Sequence, residues 1–385
     1  MLPYIQGSSV SLVLLNWGAL FYLKCTGTIR GYGATRKYIM LIFFPVYGKM
    51  KRDGLITGGF IIYTLGFVIS HKNNEKRRAI LPKDLPNIKC VDQLYFEQGY
   101  GSDLGYSDEE YRVSGVHIVS RERVLECDGI VDVKLGDADY FDKLPPGKLL
   151  IGWAHAVQDI KFTDAVLAGN HTVMAWEEMF DGGRYIFYRN REIAGEAAIL
   201  QAYQYCGKMP YETKVAILGN GHTAKGALRI LHGLGADVDV YGRKLESLFR
   251  KNMNDYDVLV NCVMWDTSRT DRIIYKEDLK SLKNGAMIVD VSCDPNLEIE
   301  TSRPSTIDDP VYTVDGVIHY TVDNTPAMFP HTVTKVLSEE FCTMVDMLSD
   351  GNWTDMVREA IVIDKGHILD KHIKEFREAR GLLVQ

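Results

Sequence analysis

Gly219-x-Gly221-x-x-Ala224, within "VAILGNGHTAKGA", follows an apolar run and opens a stretch of helix formers. A strand, a glycine turn and a helix in that order are what a dinucleotide's pyrophosphate needs. Gly219 permits the tight turn, Gly221 lets the backbone approach phosphate, and Ala224 allows the helix to pack closely on the strand. Asn220, His222 and Thr223 complete the turn and the helix start, where N–H groups would point at a bound anion. The next strand-like run, "DVDVYGRK", ends on Gly242, Arg243 and Lys244. An acid there would accept the ribose hydroxyls of NAD and repel a 2′-phosphate. Gly242 leaves room instead, and Arg243 and Lys244 can neutralise a phosphate dianion, so the pattern predicts NADP(H). Surface solvation alone would also explain two cations; the missing acid tips the balance.

A second group of residues could do chemistry on whatever faces that cofactor. "NNEKRRAILP" puts Arg77 and Arg78 just after a strand-like run, and "GIVDVKLGD" puts Lys134 at a strand's carboxyl end. "LLIGWAHAVQD" places His155 likewise, and "MIVDVSCDPN" sets Asp294 past the last strand of the nucleotide unit. Singly each has a dull explanation: a solvated lysine, a core histidine, a helix cap. In an open parallel sheet, however, the ligand crevice lies outside the carboxyl ends of the strands, where all of them could converge.

The elements that must position these residues read as two α/β units. "YTLGFVIS", "KCVDQLYFE", "GIVDVKLG" and "GKLLIGWAHA" are strand-like runs between helical stretches. "REIAGEAAILQAYQYCG" has good helix formers and Gly207 as a stop, which predicts a connecting helix over Arg191 to Gly207. Beyond it the alternation restarts in Rossmann order with "TKVAILGNG", "DVDVYG", "YDVLVNCV" and "AMIVDVSC". From Pro326 the tail is helical, with Val336, Leu337, Phe341, Val345 and Leu348 near helical period, and should pack back on the first unit. The expected fold is therefore two Rossmann-like domains, the NADP-binding domain (191–324) inserted into a discontinuous substrate domain (61–190 plus 325–385).

Composition narrows the class. Charged residues make up 25% and apolar ones 46% of 385 residues, which suits a globular enzyme of two domains. A net charge of −7 with no basic face argues against a nucleic-acid partner. Seven cysteines without a Cys-x-x-Cys pair read as reduced thiols, with no metal site, and suggest a cytoplasmic setting. Residues 1–60 stand apart, with apolar runs from Ser8 to Leu23 and from Tyr38 to Gly48 and a basic rim between and after them. The first is shorter than the ~20 residues of a spanning helix. This extension reads either as a membrane anchor or as a stretch ahead of a start near "YTLGFVISHKN" and outside the fold, and the second fits the nucleotide site better.

From about Tyr63 to Leu348 the chain resembles the alanine dehydrogenase and transhydrogenase α-subunit superfamily. The resemblance rests on Glu75-x-Arg77, Lys134, "AHAV" around His155, "REIAGEAA", the glycine turn, "VDVSCDP" and the long "ETSRPSTIDDPVYTVDGVIHYTVDNTPAMFP". "LGFVISHKNNEKRRAILPKDLP" looks most like the branch that joins pyruvate reductively to an amine of ornithine or lysine with NADPH. The resemblance implies that Arg77 binds the pyruvate carboxylate, that Lys134 holds the oxo acid and polarises its carbonyl, and that His155 is the acid/base. Asp294 would order substrate near the nicotinamide, and a homo-oligomer, a tetramer before a hexamer, is implied too.

Two departures separate the chain from alanine dehydrogenases, which usually carry Lys-Glu-Pro after the lysine strand and an acid on the second nucleotide strand. Here the first reads Lys134-Leu135-Gly136-Asp137, and Gly136 is compatible with a roomier pocket for an amine larger than ammonia. Glu177, Glu178 and Asp159 could meet an amino-acid head group by charge and position, against the plainer reading of surface acids. An ammonia-using or saccharopine-type dehydrogenase, or a non-catalytic transhydrogenase-like subunit, remain the alternatives.

Overall fold

The computed structural model describes residues 63–384 apart from 267 and 268, with the backbone of three upstream strands. Those strands, Ser9–Ser11, Phe21–Gly31 and Ala34–Phe44, pair antiparallel within a unit of their own, Met1–Ile61. The rest of the N-terminal extension, including most of its first apolar run and the end of its second, lies outside the described residues. No helix among the described residues is long and apolar enough to cross a membrane.

Residues 62–385 form the second unit, built on two sheets. In spatial order the first holds His367–Ile368, Ile361–Asp364, Thr172–Ala175, Leu149–Gly152, Gly129–Val131, Leu65–Phe67, Leu94–Glu97 and His117–Val119. The six strands from Thr172–Ala175 to His117–Val119 run parallel, Ile361–Asp364 joins them antiparallel, and His367–Ile368 closes that side, antiparallel to Ile361–Asp364. The central strands are buried on both faces, which is why they read as short continuous apolar runs. Phe67 and Phe96 stack at 4.3 Å on one face. The tail helix Pro330–Asp350 covers them, burying Val333, Leu337, Phe341, Val345 and Leu348 in the same core.

In the second sheet the order is Asp237–Tyr241, Lys214–Leu218, Val258–Asn261, Met287–Asp290, Val317–Tyr320, Val311–Val314. All but the last are parallel, and Val311–Val314 returns antiparallel as a hairpin. Strand order reverses at Lys214–Leu218, so a crevice opens between its carboxyl end and that of Val258–Asn261. The glycine turn is threaded at that point.

The connecting helix Tyr188–Cys206 crosses the helix that starts at the glycine turn, His222–Gly233, backbone against backbone. A methyl on Gly195 would collide with the Thr223 carbonyl, and one on Gly226 with the Glu192 carbonyl. The glycine of "REIAGEAA" is thus a packing requirement between two helices. Gly226→Ala is expected to destabilise the protein by about 1–3 kcal/mol through overpacking, despite alanine's better helix propensity. Urea unfolding measures this; an unchanged midpoint would mean that the helices can separate freely.

Candidate active site

At the glycine turn, Gly219 has φ +106°, and a Cβ there would press to 2.7 Å from the Cys262 carbonyl oxygen. Gly221 caps the helix without any side-chain hydrogen bond, and neither it nor Gly242 has an atom within 4 Å of the place a Cβ would take. The start of the helix therefore borders open space, which a phosphate group on its N–H donors requires. Beside them lies a groove of about 490 Å³ lined by Asn220, Lys225, Leu228, Gly242, Arg243 and Lys244, among others. Arg243, Lys244 and Lys225 are exposed and make no side-chain hydrogen bond or ion pair among the described residues. Asp239, the nearest acid on the second strand, accepts from Tyr256 Oη at 2.7 Å. These residues fit a cofactor bearing a 2′-phosphate. Lys225 was not singled out in the sequence; its signal is its place one residue after the glycine motif, on the first helical turn. His222 sits at the helix start, its Nδ1 3.7 Å from Glu192 Oε1.

The second group of residues gathers at the carboxyl ends of the first sheet. Beneath Lys134 lies Asp132, fully buried, which accepts from Tyr140 Oη at 3.0 Å, from the Lys134 N–H at 3.0 Å and from Ser70 Oγ. Burial raises the Asp132 pKa, and these three donors hold its carboxylate. The network fixes the turn that aims Lys134 at the cleft. His155 takes φ +48°, a left-handed conformation uncommon outside glycine and asparagine. Glu177 holds that turn, accepting the N–H of His155 at 2.6 Å and of Ala154 at 3.1 Å. Lys134 Nζ lies 3.3 Å from His155 Nε2 and 3.5 Å from Asp137 Oδ2. Desolvation lowers the pKa of both groups, with repulsion from Lys72 added for the lysine and from Lys134 for the histidine. The lowered pKa favours a neutral imidazole at His155, whose Nε2 is placed to accept a hydrogen bond from Lys134 Nζ.

Lys72 Nζ joins the cluster, 3.0 Å from Asp137 Oδ1 and 2.6 Å from Asp323 Oδ2. Neither Lys72 nor Asp323 was distinguished in the sequence, where they sit in quoted motifs without any local signal of pairing. Asp294, by contrast, makes no hydrogen bond to this cluster. It stands beyond Met287–Asp290, its pKa raised to about 6 by burial and by Asp290.

Arg77 is buried and committed elsewhere. Glu75 takes its Nε at 2.9 Å and its NH2 at 2.5 Å, Asn190 takes NH1 at 3.0 Å, and Asn324 takes NH2 at 2.6 Å. The edge that would grip a carboxylate with two bonds is thus occupied, leaving one NH1 hydrogen for a ligand. Arg78 packs over Tyr100 and pairs with Asp103 at 2.8 Å, so it is a structural residue and does not face the cleft. Burial raises the Glu75 pKa, but Arg77 outweighs it and brings the group down to about 2. Folded Glu75 therefore binds its proton more weakly than unfolded Glu75, and it stabilises the fold above about pH 4.5. That contribution, about 3 kcal/mol, fades as pH falls toward 2. Glu75→Gln should lose about 3–5 kcal/mol at neutral pH by stranding a buried guanidinium. In urea titrations its deficit should shrink below pH 4.5; a deficit independent of pH would contradict the pairing.

The other acids named from sequence have local duties. Asp159 caps the helix Ile160–Ala168 by accepting from the Phe162 N–H at 2.9 Å. Glu177 is the clamp on the His155 turn, and desolvation raises the Glu178 pKa. Gly136 does not make pocket room: the Ala154 carbonyl occupies the place its Cβ would take. The glycine is needed so that the lysine and histidine turns can touch.

The sequence matches "Alanine dehydrogenase/PNT, N-terminal domain" over residues 69–186 and the corresponding "C-terminal domain" over 242–373. It is 33% identical over 291 residues to the N(5)-(carboxyethyl)ornithine synthase of Lactococcus lactis subsp. lactis (strain IL1403), covering 71% of this chain and 93% of that protein. The chain belongs to the alanine dehydrogenase/PNT family.

Within the family it is also 30% identical to the protein of the same name from Clostridium botulinum, covering 72% of this chain and 92% of the relative. An alanine dehydrogenase of Methanococcus maripaludis is 28% identical, covering 77% and 90%. Among solved structures, an L-alanine dehydrogenase superposes with TM-score 0.69 at 20% identity, covering 82% of this chain and 99% of that one. The transhydrogenase from Sinorhizobium meliloti does so with TM-score 0.66 at 16% identity, covering 80% and 99%. Both share the fold. As a family member the chain is an NAD(P)-binding oxidoreductase, with the architecture of enzymes acting on CH–NH bonds.

Proposed function

We propose that this enzyme condenses pyruvate with the side-chain amine of ornithine or lysine and reduces the resulting imine at the expense of NADPH, giving N5-(carboxyethyl)ornithine from ornithine. The observation that carries the reading is the Lys134–His155 pair, with Nζ 3.3 Å from Nε2, in the cleft of a chain whose cofactor groove presents the cations Lys225, Arg243 and Lys244. Support for the substrate class comes from the carboxyethylornithine synthases, which are 33% and 30% identical to the chain against 28% for the alanine dehydrogenase of Methanococcus maripaludis.

Each residue then has a task. Arg243, Lys244 and Lys225 hold the 2′-phosphate, and Gly219 to Ala224, with Asn220, His222 and Thr223, cradle the pyrophosphate. Lys134 points its ammonium at the oxo-acid carbonyl and stabilises negative charge developing on the oxygen. Arg77 offers its remaining NH1 hydrogen to the carboxylate. Neutral His155 takes a proton from the incoming amine and returns it to the carbinolamine hydroxyl, which leaves as water. Asp294 helps to order substrate on the nucleotide side. When bound, NADPH supplies the hydride that reduces the imine carbon. This reading places the enzyme in the cytoplasm as a homo-oligomer, with a tetramer the expected form by resemblance to the superfamily.

NADPH oxidation with pyruvate plus ornithine, lysine, ammonia or no amine tests the proposal. Turnover should require one of the two amino acids. Turnover with ammonia but with neither amino acid would make it an alanine-dehydrogenase-type enzyme instead.

A further inference from the structure

Lys72, Asp137 and Asp323 have no task in the reductive condensation itself. Asp137 belongs to the turn after Lys134, on the first sheet, and Asp323 follows the strand Val317–Tyr320 of the second. One carboxylate from each side therefore holds the Lys72 ammonium, at 3.0 Å and 2.6 Å. Asp137 also stands 3.5 Å from Lys134 Nζ, which is 3.3 Å from His155 Nε2. The five side chains make one continuous row of contacts, close enough that the Lys134 and His155 charges also act on Asp323. Asp323 keeps 45% of its side chain exposed, against 20% for Lys72, and its Oδ1 accepts no hydrogen bond among the described residues. It is thus the open end of the row, and the group it already holds is a primary alkylammonium.

Resting on the proposed reductive condensation, we propose that Asp323 receives the side-chain ammonium of the amino-acid co-substrate, and that Lys72 occupies that place when the co-substrate is absent. A carboxylate accepting from an ammonium is a charge-assisted hydrogen bond, and it selects a cationic amine without contacting the rest of the amino acid. Along the row, the bound ammonium gives one proton to neutral His155, and the nitrogen lone pair then adds to the pyruvate carbonyl carbon. The adduct's nitrogen passes a second proton to the alkoxide oxygen, giving the carbinolamine, whose hydroxyl takes the first proton back from His155 and leaves as water as the nitrogen lone pair forms the C=N bond. Ammonium and carbonyl thus yield iminium and water, and hydride addition makes the secondary amine. The carboxylate stays ionised throughout, held down by Lys134 and Lys72 against its partial burial.

The test uses the full chain with pyruvate, NADPH and varied ornithine or lysine. Asp323→Asn should raise the KM for the amine about 10- to 100-fold, the loss of one hydrogen bond to a charged group. The KM for pyruvate and the affinity for NADPH, read by cofactor fluorescence, should change less than about twofold, and Asp323→Glu should recover part of the loss. Lys72→Met should lower the KM for the amine, because it removes the internal competitor. A bridge that only ties the two sheets together would shift both variants in the same direction and weaken pyruvate and NADPH as well; that result overturns the inference. An unchanged amine KM in Asp323→Asn overturns it while leaving the reductive condensation standing. Wild-type enzyme that ignores both amino acids removes the condensation reading and this inference with it.

Discussion

Lys134→Met lowers kcat by about 100- to 1000-fold, the range for losing one preorganised donor at a developing oxyanion. Methionine keeps the length and apolar stem of the lysine but brings no charge to a buried position. The larger diagnostic lies in the pH profile. Desolvation and, next, the Lys134 cation hold the His155 pKa below its usual 6.5. A base with a lowered pKa stays neutral further into acid, so the acid limb of kcat/KM lies below pH 6.5 in the wild type. Removing the cation removes the second cause, and the limb should move up in pH. Initial rates across pH 5 to 8 check this. A limb that stays in place would mean that His155 is not the titrating base or that Lys134 does not face it in solution.

The second large effect concerns cofactor choice. Arg243→Ala should raise the KM for NADPH about 10- to 100-fold while leaving that for NADH within about twofold. The physical reason is that the arginine fork meets a dianion in one cofactor and a neutral hydroxyl in the other. Lys225, which the fold carries to the same groove, should behave alike, and Arg243→Ala with Lys225→Ala should reverse the preference. Because these cations are exposed, the KM for NADPH should also rise with ionic strength more steeply than that for NADH. Equal shifts for both cofactors would mean that the cations are solvated surface charge.

Much of the site was legible in the sequence because its signals are local. The glycine turn, the strand before it, the missing acid at Gly242 and the strand-end positions of Lys134 and His155 all follow from spacing within a few residues. Strands buried on both faces read as apolar runs, so the alternation of the two sheets could be followed along the chain. Local spacing was less informative where a residue's partner lies far along the chain. Arg77 reads as a free carboxylate ligand until Glu75, Asn190 and Asn324 close around it, and the last two come from distant segments. Gly136 reads as space until the Ala154 carbonyl fills it.

The sequence by itself determined the class of chemistry: a nucleotide turn, a phosphate-tolerant strand end, and a lysine and a histidine at adjacent strand ends. Local backbone preference and hydrophobic period suffice for that, since both act between near neighbours in the chain. Only the tertiary structure decided which charges pair. The row from His155 through Lys134, Asp137 and Lys72 to Asp323 draws on segments up to 251 residues apart, and Lys225 meets Arg243 across a strand and a helix. Every one of the chain's 51 acids could in principle answer one of its cations, so composition leaves the pairing open. The fold resolves it, because desolvation at the cleft makes an unpaired charge expensive and brings only a few partners within reach.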